Sequence, residues 1–186
     1  ETLSLAPEVL FARLPGVGAG WLDNIGQSGH MALWVVQLRA RAEGTVRTGL
    51  GGTEIRYDLT SEDMRDLRRG LRFTAEMLFA AGAREILTGI YGLPPRLTNL
   101  DQARLLEDGP TDPACYSWAL SQRVGTACMS CQPRDGVVGP DFVVHGTDSL
   151  TVVDSSVFPT NLGVNPQHAI MGIAMHAAQQ IAARAN

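Results

Sequence analysis

Apolar and polar positions alternate in the first third of the chain and settle into three- and four-residue spacing further on. From Ala32 the alternation sharpens: Trp34, Val36, Leu38, Ala40 and Ala42 interleave with Val35, Gln37, Arg39 and Arg41, which predicts a half-buried strand. Glu43-Gly44 turns it, Thr45 to Thr48 returns, Gly49 to Gly52 turns again, and Ile55, Tyr57 and Leu59 give a third strand facing inward. The expectation is an antiparallel meander with one solvated or ligand-facing side. Thr60-Ser61-Glu62-Asp63 then opens a helix with a capping hydroxyl and early acids. Met64, Leu67, Leu71, Ala75 and Leu78 line its buried side, and Gly82 ends it. Arg65, Arg68, Arg69 and Arg72 stand among Glu62, Asp63 and Asp66, the pattern of a solvated face. Glu85 to Ile90 reads as a short strand and Asp101 to Leu106 as a short helix. Residues 1 to 30, rich in Gly and Pro, read as irregular wrapping around a partner surface.

The stretch from Leu150 to Ile181 carries the strongest pattern. Leu150 to Val153 is a short apolar run between turn residues, a buried strand ending at Asp154. From Ile170 the apolar residues fall at Ile170, Ile173, Ala174, Ala177, Ala178, Ile181 and Ala182, one helical face. Asn165 is the candidate N-cap and Pro166 the first helical residue. Such a helix start gathers unpaired N–H groups and the positive end of the dipole, which favours an anion. On spacing alone a capped surface helix is the better reading.

Composition narrows the classes. A net charge of -4 and 45% hydrophobic residues over 186 positions suit an ordinary globular unit and leave no nucleic-acid footprint. No apolar run is long enough to span a bilayer. The start, ETLSLAPEVL, has no basic n-region; with no signal visible and no disulfide framework, the expected setting is cytoplasmic. A dinucleotide-binding chain carries G-x-G-x-x-G between a strand and a helix. Gly16, Gly18 and Gly20 in PGVGAGW lack the third glycine in place and follow no strand, so they are rejected. Cys115, Cys128 and Cys131 are odd in number. Cys128 and Cys131 form a C-x-x-C, either a redox pair or half of a metal site, but no second pair stands at ligand spacing, and two incidental thiols with no metal is the preferred reading.

Val152 to Thr160 and Gly163 to Ala174, with Gly125-Thr126 upstream and VVGPDFVVHGTDSL between, resemble the C-terminal signature of the glucose-methanol-choline (GMC) flavin oxidoreductases. Tyr57 to Leu87 also resembles the bacterial long-chain alcohol oxidase branch of that family, near the choline dehydrogenase-like members. The resemblance implies an α+β chain: an antiparallel substrate-binding sheet with helices over residues 1-120, and over 121-186 the C-terminal strand and helix that complete a FAD-binding α/β domain. It implies FAD as cofactor and a small-molecule substrate. The flavin-cradling N-terminal segment then lies on another chain or was cleaved away.

In the family, the C-terminal part supplies two side chains to the flavin's reactive edge: a His three residues before the Gly-Thr turn, and a His or Asn before the Pro that opens the last helix. By position these fall on Gln122 and Asn165. Glutamine has no group that titrates near neutral pH, so His168, three residues past Asn165, becomes the first substitute base, against the rival reading of a buried packing histidine. Asp154 and Ser155 are expected near the pyrophosphate and ribityl chain, and Asn165, Pro166 and Gln167 at the isoalloxazine. Without the resemblance, Asp154 reads as a turn residue ending a strand. His145 is expected to be exposed, His176 to lie at a surface or interface, and His30 has nothing beside it to support a role. The implied reaction is FAD-dependent alcohol oxidation by hydride transfer to flavin N5. Gln122 also favours a rival: a lyase, a light-driven decarboxylase or a non-catalytic flavoprotein on the same scaffold.

Overall fold

The computed structural model describes residues 6–119 and 123–185. The chain divides into two compact units, Glu1–Gly44 with Tyr57–Trp118, and Thr45–Arg56 with Ala119–Asn186.

In the first unit the expected wrapping is partly helical. Pro7–Phe11 (α1) begins with a proline whose missing N–H no helix start needs. Ala19–Gly26 (α2) follows Gly18, whose φ of 58° few other residues tolerate. Buried Asn24 on α2 donates from Nδ2 to the Pro15 carbonyl at 2.9 Å, closing the loop between the two helices.

The meander does not form. Gly44–Gly49 (β1) and Gly52–Tyr57 (β2) pair across Leu50 and Gly51, a connection only an antiparallel hairpin can make. Residues 35–43 add no third strand; Trp34 makes an isolated bridge. The reason is a competing acceptor. The Arg41 and Ala42 amides donate to the Asp63 carboxylate at 2.8 and 3.1 Å, so they are not free for a ladder. β2 does not face inward either, since Ile55 is 53% exposed and Leu50 at the tip is fully so.

Ser61–Ala80 (α3) forms as its sequence predicts. Thr60 Oγ1 accepts from the Asp63 amide and Asp63 Oδ2 from the Thr60 amide, each at 3.1 Å, a reciprocal capping box. Gly82, at φ 95°, ends the helix. The expected solvated face needs correction. Asp63 is fully buried; Arg68 donates to the Gly109 carbonyl at 3.0 Å, and Arg72 reaches Glu76 and Glu107 at 2.8 and 2.5 Å. Only Arg65 and Arg69 of the four arginines stand exposed.

Under α3, Ile86–Leu87 (β3) and Arg96–Leu97 (β4) pair antiparallel, Ile86 opposite Leu97. The strand expected over Glu85 to Ile90 shrinks to these two residues. A 3₁₀ turn, Leu100–Ala103, capped by Asn99, runs into Arg104–Glu107 (α4), where a single short helix was expected. Ala75, Ile90, Leu97, Ala103 and Leu106 form the core, ringed by Leu71, Phe79, Ile86, Leu93, Cys115 and Tyr116. Full burial of a side chain such as Leu97 contributes roughly 1.5–3 kcal/mol.

Besides the β1–β2 hairpin, the second unit is held by single bridges: Met129 with Val138, Val138 with Val144, and Val143 with Thr151. The buried strand expected over Leu150 to Val153 reduces to that last bridge, made by the Val144 amide to the Leu150 carbonyl and the Val152 amide to the Phe142 carbonyl, and Leu150 is 56% exposed. Asp154 then turns the chain away. Gln167–Ala185 (α5) closes the unit. Its first bond runs from the Ile170 amide to the Pro166 carbonyl at 2.8 Å, so Pro166 holds the cap position and the helix starts one residue later than its spacing predicts. Val138, Phe142, Val157 and Ala177 form the core, with Ile173 packed against them. Phe142 holds a left-handed φ of 67°, and its ring meets His176 edge-on at 6.0 Å.

Candidate functional site

Two segments about thirty residues apart in sequence meet in the second unit. Asp154 caps the 3₁₀ turn Ser155–Val157: its Oδ1 accepts from the Ser156 amide at 2.8 Å and from the Ser156 hydroxyl at 2.5 Å. This is a local Asx turn, in which a short carboxylate takes the donor two residues on. The Ser156 hydroxyl, followed by its amide, holds the Asp154 carboxyl below its ordinary range, against a smaller opposing desolvation. Asp154 therefore stands exposed and ionised at neutral pH.

The turn docks on the Gly125-Thr126 segment. The Ser155 hydroxyl donates to the Arg123 carbonyl at 3.0 Å. The Gly125 and Ala127 amides both donate to the Ser156 carbonyl at 3.1 Å, and the Met129 amide to Val157 at 2.9 Å. Gly125 needs its φ of 89° to enter this contact. Of the residues predicted to bind the cofactor, Asp154 and Ser155 thus share one turn, joined to the backbone beside position 122. Gln122 itself lies outside the described residues. The Ser156 hydroxyl and carbonyl, unremarked from the sequence, hold both halves of this arrangement together; the D-S-S triplet was the available signal.

Asn165, Gln167 and His168 are exposed at the start of α5, with Pro166 buried among them. His168 is not packed within its own unit. This end of the helix carries no acidic side chain in its first turn. His145, expected to be exposed, is half-buried, with Nε2 at 3.0 Å from the Ser130 carbonyl. His176 lies on the exposed part of α5 against Phe142, and His30 is exposed.

Cys128 Sγ donates to the Asp135 carbonyl at 3.6 Å, while Cys131 is exposed. The bridge at Met129 extends the backbone between them, and in an extended chain residues three apart point to opposite sides. Among the described residues no three His, Cys, Asp or Glu side chains converge as a metal site. A cleft of about 290 Å³ in the first unit, lined by Pro15, Gly16, Asn24, Leu87, Pro95 and Arg96 among others, contains none of the candidate residues.

A GMC oxidoreductase family profile matches residues 40–174, a span that includes the Gly125 turn, the Asp154 turn and the start of α5. The chain belongs to the GMC oxidoreductase family. A GMC-type oxidoreductase of Mycobacterium tuberculosis is 32% identical over 184 residues, which cover 99% of this chain and 29% of that protein. A long-chain-alcohol oxidase of Arabidopsis thaliana is 32% identical over 146 residues, covering 74% of this chain and 19% of the relative. A pyranose dehydrogenase of Agaricus xanthodermus is 31% identical over 125 residues, 66% of this chain and 20% of the relative. The chain spans less than a third of the length of these GMC relatives. GMC oxidoreductases are generally FAD-dependent, and alcohol oxidases are among the relatives.

Proposed function

We propose that this chain is the C-terminal part of a GMC enzyme that oxidises an alcohol with FAD, and that the start of α5 carries its substrate-side chemistry. The observation that carries the reading is the exposed Asn165 at the start of α5, inside the span matched to the family.

The residues suit the cofactor. The N-terminal end of α5, with its helix dipole, favours negative charge, and the exposed side chains of Asn165 and Gln167 carry amide groups beside it. Pro166, buried, fixes the backbone there. Asp154 and Ser155 would hold the more distant, hydroxyl-bearing part of FAD, with Asp154 accepting from hydroxyls through its remaining lone pairs. FAD, when bound, supplies the hydride acceptor.

Asn165 holds the substrate oxygen by hydrogen bonds. Gln122 orients the substrate but takes no proton, since its amide does not titrate near neutrality. His168, exposed and three residues beyond Asn165, is the group in this segment that accepts the hydroxyl proton. The test is anaerobic flavin bleaching by a panel of alcohols in the assembled enzyme. Bleaching that is lost in His168→Ala supports the assignment; no bleaching with any alcohol defeats the alcohol-oxidising reading.

Gln122 favours a second reading, a lyase or photodecarboxylase reaction, or a non-catalytic flavoprotein, on the same scaffold. It predicts flavin binding without alcohol-driven bleaching.

A further inference from the structure

The Asp154 carboxylate is exposed, and what holds it is a neutral residue. Its Oδ1 accepts from the Ser156 amide at 2.8 Å and from the Ser156 hydroxyl at 2.5 Å. No charged side chain among the described residues contributes to its ionisation. Arg123, on the segment packed against the turn, offers its carbonyl to Ser155 rather than its charge to Asp154. Ser156 therefore fixes both the orientation and the charge of this group.

The hydroxyl protons of the turn are turned inward. Ser155 gives its proton to the Arg123 carbonyl and Ser156 gives its own to Asp154. A hydroxyl has one proton to donate, so these side chains offer a ligand acceptors: the second oxygen of Asp154 and the lone pairs of the serine oxygens. Acceptors around a negative charge suit the hydroxyls of a ligand and repel a phosphate. The Ser156 carbonyl meanwhile accepts from the Gly125 and Ala127 amides, both at 3.1 Å. Those backbone bonds survive any change of the side chain, so the hydroxyl can be removed with the turn still docked.

We infer that Ser156 is a positioning residue for the cofactor: its hydroxyl holds the Asp154 carboxylate as the acceptor for hydroxyls of bound FAD, and so sets the acidity at which the enzyme lets its flavin go. This rests on the functional reading above, in which Asp154 meets that part of FAD. The direction follows from the hydroxyl being the first cause that keeps the Asp154 carboxyl below its ordinary range. With Ser156 in place, the hold is complete above about pH 4 and declines as pH falls through the lowered value. Without the hydroxyl, the decline begins at higher pH.

FAD itself is the probe, since its fluorescence rises as it leaves the assembled enzyme, and release is followed from pH 4 to 8 with no alcohol present. Ser156→Ala should release FAD about tenfold faster at pH 7, the loss of one bond to a charged group. Its acid acceleration should begin about half a pH unit above that of the parent. Ser156→Thr, which keeps a hydroxyl, should restore both. As a control, Ser130→Ala removes another turn cap of the same unit, where Ser130 Oγ accepts from the Gln132 amide at 3.1 Å, and should release FAD as the parent does. Asp154→Asn should speed release and flatten its acid limb, and adding Ser156→Ala to it should change nothing further, because the serine acts through the carboxylate. Should Ser156→Ala fold poorly, Ser156→Cys replaces it; its thiol is a weaker donor, and release should fall between parent and Asp154→Asn. An unmoved acid limb, no restoration by threonine, or additive changes in the double variant would overturn the inference and leave Ser156 a cap of its turn. Release from Asp154→Asn at the parent rate would overturn it too, by removing Asp154 from the cofactor. Alcohol-driven bleaching is scored separately: an enzyme that follows this release pattern and never bleaches defeats the alcohol-oxidising reading while the role of Ser156 stands.

Discussion

Position 165 separates stability from chemistry at the scale of one side chain. Asn165 is exposed at the start of α5, so Asn165→Ala should shift unfolding by no more than about 1 kcal/mol while lowering alcohol-driven flavin reduction at least tenfold. Paired melting and stopped-flow measurements check this; a fall in melting temperature with turnover intact would leave Asn165 without a role at the substrate. Gln122 is the sharper discriminator. In an alcohol-oxidising enzyme that lacks its family base, Gln122→His should raise flavin reduction by roughly a hundred- to ten-thousand-fold, with a pH dependence centred near the ordinary imidazole value of about 6.5. If the scaffold serves another reaction, no alcohol in the panel gains, and the native activity falls instead.

Asp63 joins two elements, and its titration shows how. Burial pushes its carboxyl up, but donation from the Arg41 amide, the Thr60 hydroxyl and the Thr60 and Ala42 amides outweighs this and leaves it below its ordinary value. A depressed carboxyl stabilises the fold fully above the unfolded value near 4 and progressively less as pH falls through the folded value. Asp63→Asn should therefore destabilise the chain by about 1.5–3 kcal/mol at neutral pH, the worth of charge-assisted bonds lost, and flatten the decline below pH 4. Urea melts of parent and variant between pH 2 and 7 test this, and parallel curves would refute it. The same contact shows what could be read from the residues beforehand. α3 was legible from Thr60 to Gly82 because its start and stop signals lie within three residues of its ends. The alternation from Trp34 to Ala42 was equally clear and misled, because its amides answer to a carboxylate 21 and 22 residues away. For β2, alternation gave the strand but not the face, since what an apolar side meets is decided beyond the segment. The Asp154 turn was readable, yet the docking of its Ser155 on Arg123, 32 residues back, was not, since nothing local to either segment names the other.

For the molecule as a whole, the second unit holds a helix start and a carboxylate turn but, among its described residues, no glycine-rich phosphate turn behind a strand, the feature that gives dinucleotide sites their affinity. The 186-residue chain alone should leave added FAD fluorescence unquenched up to millimolar protein, and quenching should appear once the complementary segment is supplied. Saturable quenching by the chain alone would show that its own residues suffice. The buried carboxylate on α3 also sets a timetable for synthesis. Arg41 and Ala42 leave the ribosome 21 to 22 residues ahead of Asp63, a wait of about one to four seconds at ordinary elongation rates. Until then the segment from Trp34 to Ala42 is an alternating apolar strand with nothing to hold its amides, the kind of edge that captures neighbouring chains. Slowing translation while residues 34–42 are outside the ribosome and Asp63 is still inside it should therefore increase the fraction of nascent chains that sediment as aggregates, whereas a pause once the whole of α3 has emerged should not.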